Sequence, residues 1–196
     1  MIALVHPECP NPAALAGGNY KHPSNKEALR ESTSGKCMYC ESKMESVSFG
    51  HVEHIKPKLK FPELEFKWEN LGFCCHRCNT NKGGKYDETI PFINPYDEDP
   101  EEYIGFLTFY AYPKQGSERG KYTINELRLN RPGLVDRRKD KFEKLNVMIK
   151  AAFSTSSESL RNQAIAELIT EAGKEKEYSA MVKVILLTKD IKTSCA

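Results

Sequence analysis

Apolar positions in the last third of the chain recur at helical spacing. Leu134, Phe142, Leu145, Ile149 and Phe153 form one stripe, Leu160, Ala164, Leu168 and Ala172 a second, and Tyr178, Met181 and Ile185 a third. Residues three, four, seven or eight apart share one face of a 3.6-residue helix, so the pattern predicts three amphipathic helices packed over the rest of the chain. Upstream, Phe106–Tyr112 is aromatic and β-prone, and Lys121–Ile124, beyond Gly116 and Gly120, is its expected hairpin partner. Asp99-Pro100-Glu101-Glu102 has the order of a helix start: a capping aspartate, a proline at the first position and acids in the first turn. Residues 1–35 are loop-rich, punctuated by Pro7, Pro10, Pro12, Gly17-Gly18 and Pro23, with one short helix predicted over Lys26–Glu31.

Composition narrows the class. With 196 residues, 39% hydrophobic and 29% charged, the chain can bury a core without disulfides. No wholly apolar run exceeds a few residues, against the roughly 20 that a spanning helix needs. The first residues carry no basic leader and no signal-like apolar stretch, so the expected location is cytoplasmic, with no membrane partner. A net charge of +2 is too mild to mark a nucleic-acid binder by bulk electrostatics. The sign is uneven along the chain, however. Lysines crowd residues 36–86, and then seven acids run from Asp87 to Glu102 without a Lys or Arg among them. The expected organisation is a loop-rich segment at 1–35, a functional core at 36–90, and at 91–196 an acidic connector, a short hairpin and a helical region.

The core holds most of the cysteines. Seven is an odd number, and four of them fall in the pairs Cys37-x-x-Cys40 and Cys75-x-x-Cys78, separated by residues 41–74. In a chain without export signals such pairs read as metal ligands before they read as disulfides. Two tight turns, each aiming two thiolates at one point, make the four soft ligands of a closed structural Zn²⁺ site. Cys74 breaks the spacing and reads as a packed thiol; Cys9 and Cys195 have no assignment.

Between the pairs runs Gly50-His51-Val52-Glu53-His54-Ile55-Lys56-Pro57-Lys58, followed by Trp68-Glu69-Asn70-Leu71 and, past the second pair, Asn79 and Lys82. Pro57 cannot continue a ladder, which sets Glu53-His54 at a strand end. A helix opened by the second pair puts Asn79 and Lys82 one turn apart on one face. Successive strand residues face opposite ways, so Glu53 and His54 converge only if the strand ends or bends there.

At these residues the sequence resembles the HNH endonuclease family, with His54, Asn70 and Asn79 as an H-N-N variant. The resemblance implies an α+β fold: a ββα-metal core clamped by zinc, followed by a mainly helical C-terminal region. It further implies that His54 is the general base and that Glu53 and Asn79 hold one catalytic divalent ion. Asn70 would fix the loop that carries the base. Gly83 stands where some members carry a further histidine, leaving two protein ligands and open positions, which suits Mg²⁺ or Mn²⁺. The chemistry is consistent with this: neutralised phosphate oxygens can be attacked by water that an imidazole deprotonates. Lys82 is expected to place a positive charge beside the phosphate. His51 reads as a structural neighbour, and His76 as an exposed residue between the cysteines of the second pair.

Cys-x-Tyr-Cys-Glu at 37–41, Glu-His-Ile-Lys-Pro-Lys at 53–58, Trp-Glu-Asn-Leu at 68–71, Asn-Pro-Tyr-Asp-Glu-Asp-Pro-Glu-Glu at 94–102 and Thr-Ile-Asn-Glu-Leu-Arg-Leu-Asn-Arg at 123–131 narrow the resemblance. They are similar to the nuclease family of Septu anti-phage systems, including versions attached to retrons. That resemblance implies a PtuA-like ABC-type ATPase partner and a nucleic-acid substrate, DNA first and RNA second. The expected docking surface is the C-terminal third, and a chain cut after about Arg137 is expected to keep its metal core folded. The alternatives are a ribonuclease acting on transfer RNA, a stand-alone restriction-type or mobile-element nuclease, and a non-catalytic zinc module that binds nucleic acid or protein.

Overall fold

A computed structural model of the chain describes residues 1–44 and 50–193; Cys195 lies outside the described residues. Strand β1 (His51–His54) pairs antiparallel with β2 (Leu71–Cys74), setting His51 opposite Cys74 and His54 opposite Leu71. Helix α3 (His76–Lys82) follows β2 directly, giving a ββα unit. The long β1–β2 connection is shaped by 3₁₀ turns at Pro62–Leu64 and Trp68–Asn70. Met38 of the first cysteine turn donates its amide to the Phe73 carbonyl at 3.0 Å, fastening that turn to β2. The approach requires glycine: a Cβ at Gly72 would lie 2.4 Å from the Met38 sulfur.

Two short helices precede the unit, α1 (Pro12–Ala16) and α2 (Pro23–Ser32). Leu15 and Leu29 from these helices close a small apolar cluster with Val52, Trp68, Leu71 and Phe73. The proline-rich start is therefore not loose. His6 Nε2 contacts the Leu71 carbonyl at 3.0 Å, and the Trp68 indole donates to the Pro7 carbonyl at 2.6 Å. These contacts hold the segment along the back of the β1–β2 hairpin.

The second hairpin differs from the expected one. Strand β3 (Ile104–Leu107) turns back immediately into β4 (Tyr110–Pro113), whereas Lys121–Ile124 lies inside helix α4 (Glu118–Glu126). Ser117 caps α4 by accepting the Gly120 amide at 2.9 Å, which commits the segment to a helix. Thr108, at φ 54°, allows a two-residue turn between the strands. Asn130 then pairs with both backbone groups of Ala111, at 2.9 and 2.7 Å, on β4. The Asp99-Pro100 signal does open a turn, a 3₁₀ helix over Pro100–Glu102 capped by Asp99.

Helices α5 (Pro132–Ser154), α6 (Glu158–Thr170) and α7 (Ser179–Leu187) complete the chain. Leu134, Leu145, Ile149 and Leu168 are buried as the stripes predict, while Phe153 and Leu160 are 53% and 59% exposed at the far end of the α5–α6 pair. The C-terminal third is not separable from the metal core. Met181, Val182, Ile185 and Leu186 share one apolar cluster with Cys37, Met38, Cys40 and Cys78. Lys36 donates to the Lys176 carbonyl at 2.9 Å, and buried Glu41 accepts the Ser179 hydroxyl at 2.7 Å. Burying four such side chains contributes roughly 1.5–3 kcal/mol each, comparable to the whole stability of a domain. A cut after Arg137 removes these contacts, which argues against the expectation that the metal core survives it.

Candidate active site and metal centre

The two cysteine turns converge. The Sγ atoms of Cys37, Cys40, Cys75 and Cys78 all lie within 4.8 Å of one another, and Cys40 and Cys75 are 3.9 Å apart. A tetrahedron of 2.3 Å zinc–sulfur bonds has edges of roughly 3.8 Å, so the donors fit that ion in number, type and spacing. Arg131 places its guanidinium 3.7 Å from Cys78 Sγ and 3.6 Å from Cys40 Sγ. Hydrogen bonds from the other three cysteines, and Arg131 after them, hold the Cys40 thiol well below its ordinary pKa. Little space remains for a substrate, since three of the four cysteines are buried. Cys74 is buried outside the group, against β1, and Cys9 contacts Asn25.

On the far side of β1 opens a cleft of about 470 Å³ whose lining includes His51, Glu53, His54 and Asn79. Strand β1 ends at His54, which lets Glu53 and His54 reach the same space although they are neighbours in a strand. The His54 ring is half-buried, and its Nε2 lies 2.9 Å from the Glu65 carbonyl. A carbonyl only accepts, so Nε2 carries the proton and the neutral ring keeps its lone pair on Nδ1. Burial lowers the His54 pKa, the nearby Lys58 and Lys82 charges add to that, and the Glu65 carbonyl opposes them. The ring is thus biased towards the neutral, proton-accepting form.

Asn70 fixes the turn behind this histidine. Its side chain accepts the Lys56 amide at 2.8 Å and donates to the Lys56 and Leu64 carbonyls at 3.0 and 3.1 Å. Glu53 is 4% exposed, and burial raises its carboxyl pKa against the pull of Lys82. Lys82 does not take the place expected beside a phosphate. It is 1% exposed, its Nζ is 2.5 Å from Glu53 Oε1, and it donates to the His54 carbonyl at 2.7 Å. Helix α3 packs on β1, so its last-turn lysine enters the interior and ties Glu53 to the backbone of His54. Lys82 is a positioning residue for both.

Sequence reasoning did not reach the opposite wall of the cleft. Tyr20, Lys21 and Lys26 come from the N-terminal segment. The Tyr20 ring meets His54 edge-on at 4.7 Å between centroids, and Lys58 lies over the other side of the tyrosine at 5.1 Å while pairing with Glu65 at 2.6 Å. The only local hint was Gly17-Gly18, which marks a turn and says nothing of where the turn leads. His51 lines the cleft and stands 5.3 Å, ring to ring, from exposed His76.

Residues 37–85 match the family model for HNH endonuclease. Over 195 aligned residues the chain is 31% identical to the Septu protein PtuB of Bacillus thuringiensis, covering 90% of this chain and 74% of that protein. The chain belongs to the PtuB family of HNH endonucleases. A second PtuB, from Bacillus mycoides (strain KBAB4), is 30% identical, with 84% of this chain and 67% of the relative covered. A retron Vc95 protein of Vibrio cholerae, named as a candidate HNH endonuclease, is 32% identical over 127 residues, 59% of this chain and 62% of that one. The PtuB matches extend well past the HNH segment into the helices that close its core. Among the described residues no helix is long and apolar enough to cross a membrane.

Proposed function

We propose that this chain is the nuclease subunit of a Septu-type anti-phage defence complex, hydrolysing phosphodiester bonds of nucleic acid, DNA foremost, in the cytoplasm. The observation that carries the reading is the fixed tautomer of His54 beside buried Glu53 in an open cleft. His54 Nδ1 accepts the proton of the attacking water. Asn70 holds the turn so that the imidazole does not swing away, and the Glu65 carbonyl stabilises the imidazolium through Nε2–H. Glu53 and Asn79 present oxygen donors that would hold a divalent cation, Mg²⁺ or Mn²⁺. Such an ion, when bound, supplies charge neutralisation at the phosphate. Lys82 anchors the Glu53 carboxyl and favours its ionised form against the effect of burial. The four thiolates hold Zn²⁺ as a structural clamp.

The Septu names of the relatives support a PtuA-like ABC-type ATPase as partner. With α7 packed largely into the core, one surface of the C-terminal third for it is on the α5–α6 pair, where Val147, Phe153 and Leu160 are exposed. The test is purified chain, with and without that ATPase, incubated with plasmid and transfer RNA in Mg²⁺ or Mn²⁺ beside a His54→Ala control. Metal-dependent cutting of plasmid that His54→Ala abolishes is the expected result. Cutting of transfer RNA alone makes the chain a ribonuclease, cutting without any partner makes it a stand-alone nuclease, and no cutting in any arm leaves a binding module.

A further inference from the structure

A second cleft, of about 560 Å³, opens between the first cysteine turn, the start of α3 and the α4–α5 corner. Its cationic lining is Lys43, His76, Arg77, Arg128, Arg131 and Arg137, and among the described residues no carboxylate lines it. Arg131 is committed to the thiolates of the metal centre. Lys43, Arg77, Arg128 and Arg137 are exposed and take part in no salt bridge among the described residues. Glu177 accepts the Lys43 backbone amide at 2.6 Å and is not among the residues that line the cleft.

Charge balance elsewhere makes this concentration informative. The chain holds 29 Lys and Arg against 27 Asp and Glu, and several exposed lysines on its helices pair with acids one turn away, as Lys121 does with Glu118 and Lys139 with Glu143. Here four cations surround one concavity without a counter-charge among the described residues that line it. Helix α5, 23 residues long, begins at the same place with no side chain capping it, and its N-terminal dipole adds to the positive potential. The two clefts also meet: His76 lines this one, His51 lines the catalytic one, and their rings are 5.3 Å apart.

We propose that this cleft holds the sugar-phosphate backbone of the nucleic acid beyond the scissile phosphate, with Arg77, Arg128 and Arg137 contacting successive phosphates. The inference rests on the nuclease reading above and adds the path of the substrate strand. A strand leaving the catalytic cleft crosses the His51–His76 pair and enters a channel whose exposed cations form no salt bridge among the described residues. Contacts of this kind hold the strand in register without reading its sequence, and phosphates are common to DNA and RNA.

The experiment compares His54→Ala protein, which binds without cutting, with the same protein carrying Arg128→Gln and Arg137→Gln. Binding to a fluorescent DNA duplex and to transfer RNA is followed across a salt series, with the ATPase present and absent. Each lost phosphate contact lowers the slope of log affinity against log salt by about 1, so a fall of about 2 and at least tenfold weaker binding at low salt are expected. Whichever nucleic acid shows the loss is the strand the cleft holds. Lys121→Gln with Lys139→Gln removes equal charge elsewhere and should leave the slope unchanged. In otherwise native protein the arginine pair should raise KM with kcat unaltered, the signature of lost uniform binding. Parental slope and affinity in the arginine variant, with zinc content intact, overturn the proposal, as does loss of the ATPase alone. A His54→Ala parent that binds neither nucleic acid overturns the nuclease reading itself.

Discussion

The thiolate cluster and the His54 cleft stand on opposite sides of one short strand–helix unit and are built in opposite ways. At the cluster, four identical donors close around one point, and the neighbouring arginine serves the sulfurs. At the cleft the donors are few and different: a carboxylate, an amide and an imidazole, with open space in front of them. With a metal bound, the first arrangement would leave no coordination position and would only hold structure; the second would leave positions that a substrate oxygen can fill. Helix α3 serves both. Cys75 and Cys78 from its first turn go to the cluster, and Asn79 and Lys82 go to the cleft. The cysteine turn at the start of a helix thus sets the position of cleft residues one turn later.

Breaking the closed side should have the largest effect. Cys37→Ser or Cys78→Ser removes a thiolate from a centre where bound zinc would contribute on the order of 10 kcal/mol to folding. The variants should lose zinc by metal analysis and helicity by circular dichroism; a folded, zinc-free protein would sink the structural assignment. Next comes the open side. His54→Ala should cut roughly 10²–10⁴-fold more slowly while zinc content and melting temperature stay put. Equal damage to folding and cutting would erase the contrast between the two sites.

The interior beneath the cleft sharpens the comparison further. Lys82→Ala leaves the Glu53 carboxylate buried without its partner, which costs about 3–5 kcal/mol. The double variant Lys82→Met with Glu53→Met should regain most of that in urea unfolding yet remain inactive. Recovery of cutting in the double variant would show that Glu53 has no part in the chemistry. The smallest effect is expected at Tyr20→Leu, which removes an edge-on ring contact worth about 0.5–1.5 kcal/mol from His54. Cutting should fall severalfold with stability nearly unchanged; an unaltered rate would leave the N-terminal wall a purely structural one.

What the chain alone determined is what local covalent spacing controls. Two C-x-x-C turns, a strand ended ahead of Pro57 and a helix opened by Cys75 each need only a few neighbouring residues, so the thiolate set and these elements were legible, while the ββα unit and the letters His54, Asn70 and Asn79 came from the resemblance to the HNH family. The helical stripes were legible for the same reason. The hairpin was misread because two β-prone stretches lay in range, and a serine cap three residues from Gly120, with a tight turn at Thr108, decided between them. The burial of Lys82 against Glu53, the Tyr20 wall and the docking of α7 came from tertiary structure alone. Lys36 meets Lys176 140 residues away, and Tyr20 meets His54 across a fold that no window of sequence contains. Such contacts depend on which apolar faces find one another when the chain collapses, and periodicity reports that a face exists without saying what will cover it.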